Sequence, residues 1–540
     1  MDVSFGTIWE AIARDLPDTV AISEPARDYT FAEFSDRAGR LAAALAAAGV
    51  GPGDKVACYL YNGAPYLETA FAAFKLGAVP VNANYRYTAG ELTALLADAD
   101  AAALVFSGDL AANVTHAAAT LPSLRLLVRA GPAPEESALG GAPSLEDLYA
   151  STEPRPPSPR PSSDALFMYT GGTTGKPKGV IWHLHQLFGS MGAGLFSRLG
   201  PTTTPATLDE LLAIVRSVHA SGRSPVSLSA VPLMHATGLF NSIGTLTVGG
   251  RVVMTRPGRL DPRHVWELVG AQRVRTLVVA GNAVCQPLVD ELVAAEAADR
   301  RYDLSSLEAV TSSGTVLSDR LKRALHERAT VTISDAVASS EGGPFLIAVT
   351  SSAADLPSRF YPTAGTEVLA ASGVPVVPGS GEVGMLAFGG SIPSGYYKDD
   401  AKTSATFRVV EGVRYAMPGD LATVDADGAI RFLGRGAGVI NTGGEKVHPQ
   451  EVEDILLAHP GVTDASVVGV PDETWGERVV AVVATADMEL TPEELRAAVR
   501  RRLAGYKVPR AVILLPALPR TPTGKLELSR VRSIAADAVR

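Results

Sequence analysis

Tyr169-Thr170-Gly171-Gly172-Thr173-Thr174-Gly175-Lys176-Pro177-Lys178-Gly179 concentrates glycines, hydroxyls and two lysines in one short run, directly after the apolar stretch Ala165–Thr170. Backbone N–H groups, hydroxyls and ammonium groups on such a loop can converge on phosphate oxygens. The run is not a Walker A loop, which needs Gly at the place of Thr170 and Ser or Thr at that of Pro177. Other chemistry-bearing residues are scattered. Glu341 follows two serines, Asp420 ends a turn-like Pro-Gly-Asp, and Lys525 ends Pro-Thr-Gly-Lys near the C-terminus. His183 and His185 flank Leu184 without a matching acid or Cys cluster, and read as residues at a helix start rather than a metal site; His448, before a proline, reads as structural too. Cys58 and Cys285 are the only cysteines; no zinc spacing exists, and Cys58 lies in an apolar run as a small buried hydrophobe.

These groups must be positioned by an α/β scaffold. Apolar runs of strand length alternate with helix-like stretches through most of the first four hundred residues, the pattern of βαβ units and a largely parallel sheet. Strands are predicted at Val56–Tyr61, Val79–Asn82, Arg251–Thr255 and Thr276–Ala280, and helices at Pro65–Leu76, Leu208–His219, Pro262–Gly270 and Ala283–Ala295. Glu153–Ser163, EPRPPSPRPSS, reads as a polyproline-like linker or surface excursion. The last hundred residues change character, with helices at His448–Ala458 and Pro492–Leu503 and strands at Ala465–Val470, Arg478–Ala484 and Ala511–Leu515. This divides the chain into 1–434, a large unit of mixed and parallel sheets with flanking helices, and 435–540, a small mobile α+β unit, with the boundary in the glycine-rich run at Arg435.

With 540 residues, two or more domains are expected. The 48 basic and 57 acidic residues give a net charge of −9, which argues against a nucleic-acid-coating surface. The N-terminus has no signal-peptide h-region, and no run reaches the roughly 18–20 apolar residues of a membrane span, so the sequence reads as cytoplasmic.

The glycine-rich run resembles the signature loop of the adenylate-forming superfamily, which includes acyl- and aryl-CoA synthetases, peptide-synthetase adenylation domains and firefly luciferase. Gly172 replaces the usual Ser, as in similar actinobacterial acyl-CoA synthetases. Further segments resemble the family's motifs in order. Pro232-Leu233-Met234-His235 is similar to its Pro-Leu-x-His segment, and Ser312-Ser313-Gly314-Thr315 to its adenine-holding turn. Asp335-Ala336-Val337-Ala338-Ser339-Ser340-Glu341 stands where the family has aromatic-Gly-x-Thr-Glu. Pro418-Gly419-Asp420 and Gly434-Arg435 match two ribose motifs. Asn441-Thr442-Gly443-Gly444-Glu445-Lys446-Val447 resembles the start of the C-terminal domain, and Pro522-Thr523-Gly524-Lys525 its lysine motif.

The resemblance implies ATP- and Mg²⁺-dependent activation of a carboxylic acid as acyl-AMP, then transfer to CoA. Attack of a carboxylate on the α-phosphate builds negative charge, so such catalysis is mostly neutralisation and positioning. It further implies that Thr170–Lys178, including Gly171, Gly172, Thr173, Thr174, Gly175 and Lys176, holds the β- and γ-phosphates, and that Ser313, Gly314, Thr315, Asp335, Ser340, Asp420 and Arg435 contact the nucleotide. Glu341 would bind Mg²⁺. Lys525 would bridge carboxylate and phosphate until the C-terminal unit rotates near Ala437, bringing Gly443 and Gly444 to the pantetheine channel. His235, Asn282, Val337 and Ala338 would border the acid, although helix capping is the more ordinary role for Asn282. Departures stand at Val337, where relatives carry an adenine-stacking Tyr, at Ala338 for Gly, and at the hinge residue Ala437. They leave open a relative that loads a carrier-protein thiol or activates nitrite against an aryl amine (a diazotase of secondary metabolism). A non-catalytic nucleotide binder is disfavoured by the joint presence of Lys178, Glu341, Asp420, Arg435 and Lys525. Fatty, steroid-derived and aromatic acids all suit the sequence, and homodimers are common in the family.

Overall fold

A computed structural model describes residues 2–132, 139, 141–171, 177–197, 199–200, 203–314, 317–435, 439–447, 449–485, 489–519 and 527–539. Among these residues the chain is a mixed α/β structure with four sheets. The central strands of a nine-stranded sheet run parallel, in the order Val20–Glu24, Arg251–Val253, Val226–Ser229, Thr276–Val279, Ala309–Ser313, Thr332–Ser339. Helices Pro262–Ala271, Gly281–Ala297 and Asp319–His326 cover one face, where Leu228, Leu277, Val310 and Ile333 form a buried core. A seven-stranded sheet places Val79–Asn82 between Lys55–Tyr59 and Ala165–Gly171, all parallel, and Pro177–His183 folds back antiparallel on the last. Helices Phe5–Asp15, Phe31–Ala47, Ala64–Leu76 and Ala236–Thr247 join the main core with Trp9, Phe34, Phe71 and Leu246.

Local chemistry sets the element ends. Thr30 and Glu33 form a reciprocal capping box at the start of Phe31–Ala47, and Thr88 with Glu91 does the same for Ala89–Asp98. Asp261 caps Pro262–Ala271, with proline in the first turn where no N–H is missed. Gly77 ends Ala64–Leu76 at φ +70°, a conformation that suits glycine. Arg160 of the proline-rich segment lies against it. That segment is a strap on the N-terminal unit rather than a free linker: Ser4 N–H donates to Arg160 O at 3.0 Å, Arg155 N–H to Gly39 O at 3.0 Å, and Arg160 pairs with Asp164 at 2.9 Å.

The alternating pattern does not extend to the end of the large unit. Residues 366–435 form a six-stranded sheet whose pairings are antiparallel, which sequence periodicity did not reveal. Ile430–Arg435 pairs within that sheet, while Ile440–Thr442 pairs with Gly476–Ala484, so the chain changes sheets between 435 and 440. The C-terminal sheet has five strands, with Ala511–Leu515 parallel to Gly476–Ala484. It packs against Pro449–Leu457, Pro492–Arg500 and a further helix, Leu528–Ala538, that the sequence reading omitted.

Candidate active site

Parallel strands deliver their following loops to one edge, and here those loops line a cavity of about 1700 Å³. Thr170, Ser313, Gly314, Ala338, Ser340 and His235 all reach its wall. Gly314 sits at φ +96°, and the Ser313 hydroxyl lies 2.6 Å from that of Thr237 on the opposing helix. His235 precedes that helix as its N-cap residue. Asn82, which the sequence reading passed over, fastens this corner. Its amide donates to Tyr169 O at 3.0 Å and Met234 O at 2.7 Å, and its carbonyl accepts Tyr169 N–H at 2.6 Å. One buried side chain thus ties the strand before the glycine-rich loop to the segment before His235. The signal for it was a polar residue closing the apolar strand Val79–Asn82.

Thr170 and Gly171 pair with Lys178 and Pro177, so antiparallel strands flank the glycine-rich run on both sides. Gly172, Thr173, Thr174, Gly175, Lys176, Thr315, Ala437 and Lys525 lie outside the described residues. Lys178 is not brought to the cavity wall; it pairs with Asp399 at 2.5 Å, and this hydrogen bond, with the Lys402 N–H, holds the Asp399 carboxyl below its usual range. Gly179 fits the hairpin for a steric reason: a Cβ there would stand 2.7 Å from the Tyr169 ring.

Along the strand Thr332–Ser339 the even-numbered residues line the cavity, and Ser339 joins them past a register shift between Val337 and Ala338. Ala336 and Ala338 face the cavity. Val337 is not among the lining residues and packs, partly buried, against the main core. Asp335 is likewise not among the lining residues. It is buried in an ion pair with Lys322 at 2.9 Å, both side chains 1% exposed, and accepts Leu317 N–H. Burial pushes its carboxyl up, against the opposing pull of Lys322. Beyond the strand, Ser340 O accepts Trp182 Nε1–H at 2.9 Å, and buried Glu341 accepts Tyr396 O–H at 2.9 Å. Asp420 is buried, with its backbone opposite that of Arg435.

The C-terminal unit completes the cavity. Gly443 and Gly444 line it at φ +59° and +83°. A Cβ on Gly443 would come within 2.6 Å of the Trp475 ring, and Gly443 N–H donates to Trp475 O at 2.8 Å. Buried Glu445 crosses to the N-terminal unit, meeting Arg86 at 2.8 Å and His235 Nε2 at 3.1 Å. Burial alone would raise its carboxyl, but His235, then Arg86 and Lys507, outweigh it and hold the group below the ordinary value. Lys507 bridges Glu91 at 3.0 Å and Glu451 at 2.8 Å. Asn282 belongs to this contact rather than to the pocket. Its amide donates to Glu473 O at 2.8 Å and its carbonyl accepts Ser318 N–H at 2.9 Å, so both ends are used. Arg86, Arg496, Arg500 and Arg510 ring the mouth beside Tyr506, with Arg510 5.1 Å over the Trp475 ring.

The two cysteine thiols are buried and inert, Cys285 being pushed up to about 12 by desolvation. His183 and His185 stack at 5.9 Å, each near a strap carbonyl. Among the described residues no group of three potential metal ligands forms, and no helix is long and apolar enough to cross a membrane.

Residues 9–397 match the family described as AMP-binding enzyme, and residues 451–525 its C-terminal domain. The chain is 39% identical over 521 residues to a 3-oxocholest-4-en-26-oate–CoA ligase of Rhodococcus rhodochrous, covering 94% of this chain and 92% of that one. It is 37% identical over 517 residues to a medium/long-chain-fatty-acid–CoA/3-oxocholest-4-en-26-oate–CoA ligase of Mycolicibacterium smegmatis, with 94% and 92% covered. Among solved structures it is similar to an amide bond synthetase from Marinactinospora thermotolerans, with a TM-score of 0.80 at 25% identity over 99% of this chain and 100% of that one.

Proposed function

The chain belongs to the AMP-binding enzyme family, and on that premise we propose that it is an AMP-forming acid–CoA ligase for a long, largely apolar carboxylic acid. A carboxylate oxygen attacks the α-phosphorus of ATP, and the bond to pyrophosphate breaks. The CoA sulfur, its proton lost to solvent, then attacks the acyl carbon, and AMP leaves with the carboxylate oxygen it acquired. The observation that carries this reading is the meeting of both units on one cavity. Thr170, Ser313 and Ser340 lie on one side, and the Gly443-Gly444 turn on the other, beneath an arginine-ringed mouth. The arginines and the Trp475 and Tyr506 rings suit the phosphates and adenine of CoA. The Gly443-Gly444 turn, which lines the cavity and carries no side chains, is proposed to face the pantetheine arm. The named ligases of Rhodococcus and Mycolicibacterium support CoA as the acceptor and an extended acid as the substrate.

Mg²⁺ fits this site through Glu341. Its carboxylate is buried and fixed by Tyr396, beside the cavity-lining Ser340. Magnesium is commonly held by one or two carboxylates plus substrate phosphates, and the ion would neutralise charge on the nucleotide. Lys525 and residues 172–176 are proposed to supply further cationic and N–H contacts to that nucleotide.

The test is acid-dependent AMP formation by the purified chain with ATP and Mg²⁺, across fatty, sterol-derived and aromatic acids, with and without CoA. CoA-dependent release of AMP and acyl-CoA is the expected result. Silence with every acid, or release of ADP instead of AMP, would overturn the assignment.

A further inference from the structure

The cavity continues far beyond the nucleotide corner. Strands Thr276–Val279, Ala309–Ser313 and Thr332–Ser339 are parallel and in register, with Thr276 beside Ala309 and Ala309 beside Thr332. Sheets of this kind are covered on both faces and ordinarily carry large apolar residues on each. Here the two faces differ. Leu277, Val279, Val310 and Ile333 build the core under the outer helices. On the other face Thr276, Thr311, Thr332, Ser334, Ala336 and Ala338 line the cavity. Apart from Val278, packed with Val231 and Ala280, this face carries hydroxyls and methyls, which leave a slot where larger side chains would otherwise fill the space. From Ala338 to Thr332 the strand rises about 20 Å, at roughly 3.3 Å per residue.

The facing helices are also thinned. Gly194 and Gly244 line the slot, and a Cβ on Gly244 would meet nothing closer than Leu195 at 3.7 Å. Ser334, only 7% exposed, presents its hydroxyl side chain to the slot. The slot ends at a second mouth. There Arg275 pairs with Glu308 at 2.9 Å and donates to Gly222 O, beside the exposed Arg223. An aliphatic tail would gain nothing from these groups, whereas an acceptor oxygen would.

We propose that the acid taken by this chain is an elongated molecule of about 20 Å bearing an acceptor oxygen (hydroxyl, oxo or carboxylate) at the end remote from the reacting carboxyl. It lies along the hydroxyl-lined sheet face, its far oxygen at the Arg223–Arg275 mouth. This rests on the ligase reading and adds to it the chemistry of the substrate's distal end.

The test compares kcat/KM of the full chain, with ATP, Mg²⁺ and CoA, for octanoic, hexadecanoic, ω-hydroxyhexadecanoic and hexadecanedioic acids. The oxygenated long acids are expected to exceed hexadecanoic acid by about tenfold, the contribution of one charge-assisted hydrogen bond. In Arg223→Ala that ratio should fall towards one. In Gly244→Leu, which narrows the slot, preference should shift from the long acids to octanoic acid by at least about tenfold. Equal or better use of hexadecanoic or octanoic acid by the unsubstituted enzyme would overturn the proposal while leaving the ligase reading intact. Silence with every acid would overturn both.

Discussion

Replacing Gly443 by Ala perturbs the loop that carries the C-terminal unit into the cavity. Gly443 has φ +59°, and an L-residue held there costs roughly 1–2 kcal/mol. The new Cβ would also lie 2.6 and 2.9 Å from two carbons of the Trp475 ring, so the ring or the loop must shift. Trp475 is 37% exposed and can yield outward, which keeps the clash smaller than in a core. Together these should weaken the docked loop by about 2 kcal/mol, close to a 30-fold drop in its population at about 1.4 kcal/mol per decade. The assay separates the half-reactions: acid-dependent pyrophosphate exchange for adenylation, and single-turnover thioester formation from preformed acyl-AMP at saturating CoA. Thioester formation should fall about 10- to 30-fold, with exchange changed no more than about threefold. Adding Trp475→Ala removes the clash but not the backbone strain, so part of the rate should return. Equal losses in both half-reactions, or no recovery in the double variant, would refute the reasoning.

Glu445→Gln should cost the docked arrangement about 1 kcal/mol, less than a fully buried pair because the Arg86 side chain is 42% exposed. The Glu445 carboxyl is held below its ordinary 4.5 in the docked state. Its contribution is therefore complete above that value and lost as pH falls through the lowered one. Distance measurements between labelled units across an acid titration should show undocking that the Gln variant lacks. Lys322→Met strands the buried Asp335 carboxylate and should cost roughly 3–5 kcal/mol in urea unfolding, largely restored by adding Asp335→Leu. Tyr396→Phe removes a donor to Glu341 and should raise the Mg²⁺ concentration for half-maximal rate about fivefold or more, with the KM for the acid almost unchanged.

The elements that position the site were legible where periodicity and punctuation agree. Val79–Asn82 and Ala511–Leu515 occur with the bounds read from sequence, and Pro262–Ala271 differs by one residue at its end. The antiparallel strands of 366–435 escaped because short strands joined by glycine-rich turns carry little periodicity. Motif loops were legible because their chemistry restricts residue types locally. Contacts between distant segments were not: Tyr396–Glu341 spans 55 positions, Asn82–Met234 152, and His235–Glu445 210. Asp335 and Val337, neither of which lines the cavity, show a finer limit of motif reading. In a strand the side chains alternate, and which parity faces the cavity is fixed by register with Ala309–Ser313, which the motif itself does not encode. Asn282 was drawn from pocket to interface for a similar reason, since Glu473 lies 191 positions away.

The central claim is an acyl-adenylate whose carboxylate oxygen stays with AMP. With a turned-over acid labelled with ¹⁸O in its carboxyl group, mass spectrometry of the nucleotide product measures this directly. One labelled oxygen in AMP, with none in pyrophosphate, is the expected result. Unlabelled AMP, or label appearing in ADP or phosphate, would contradict the account.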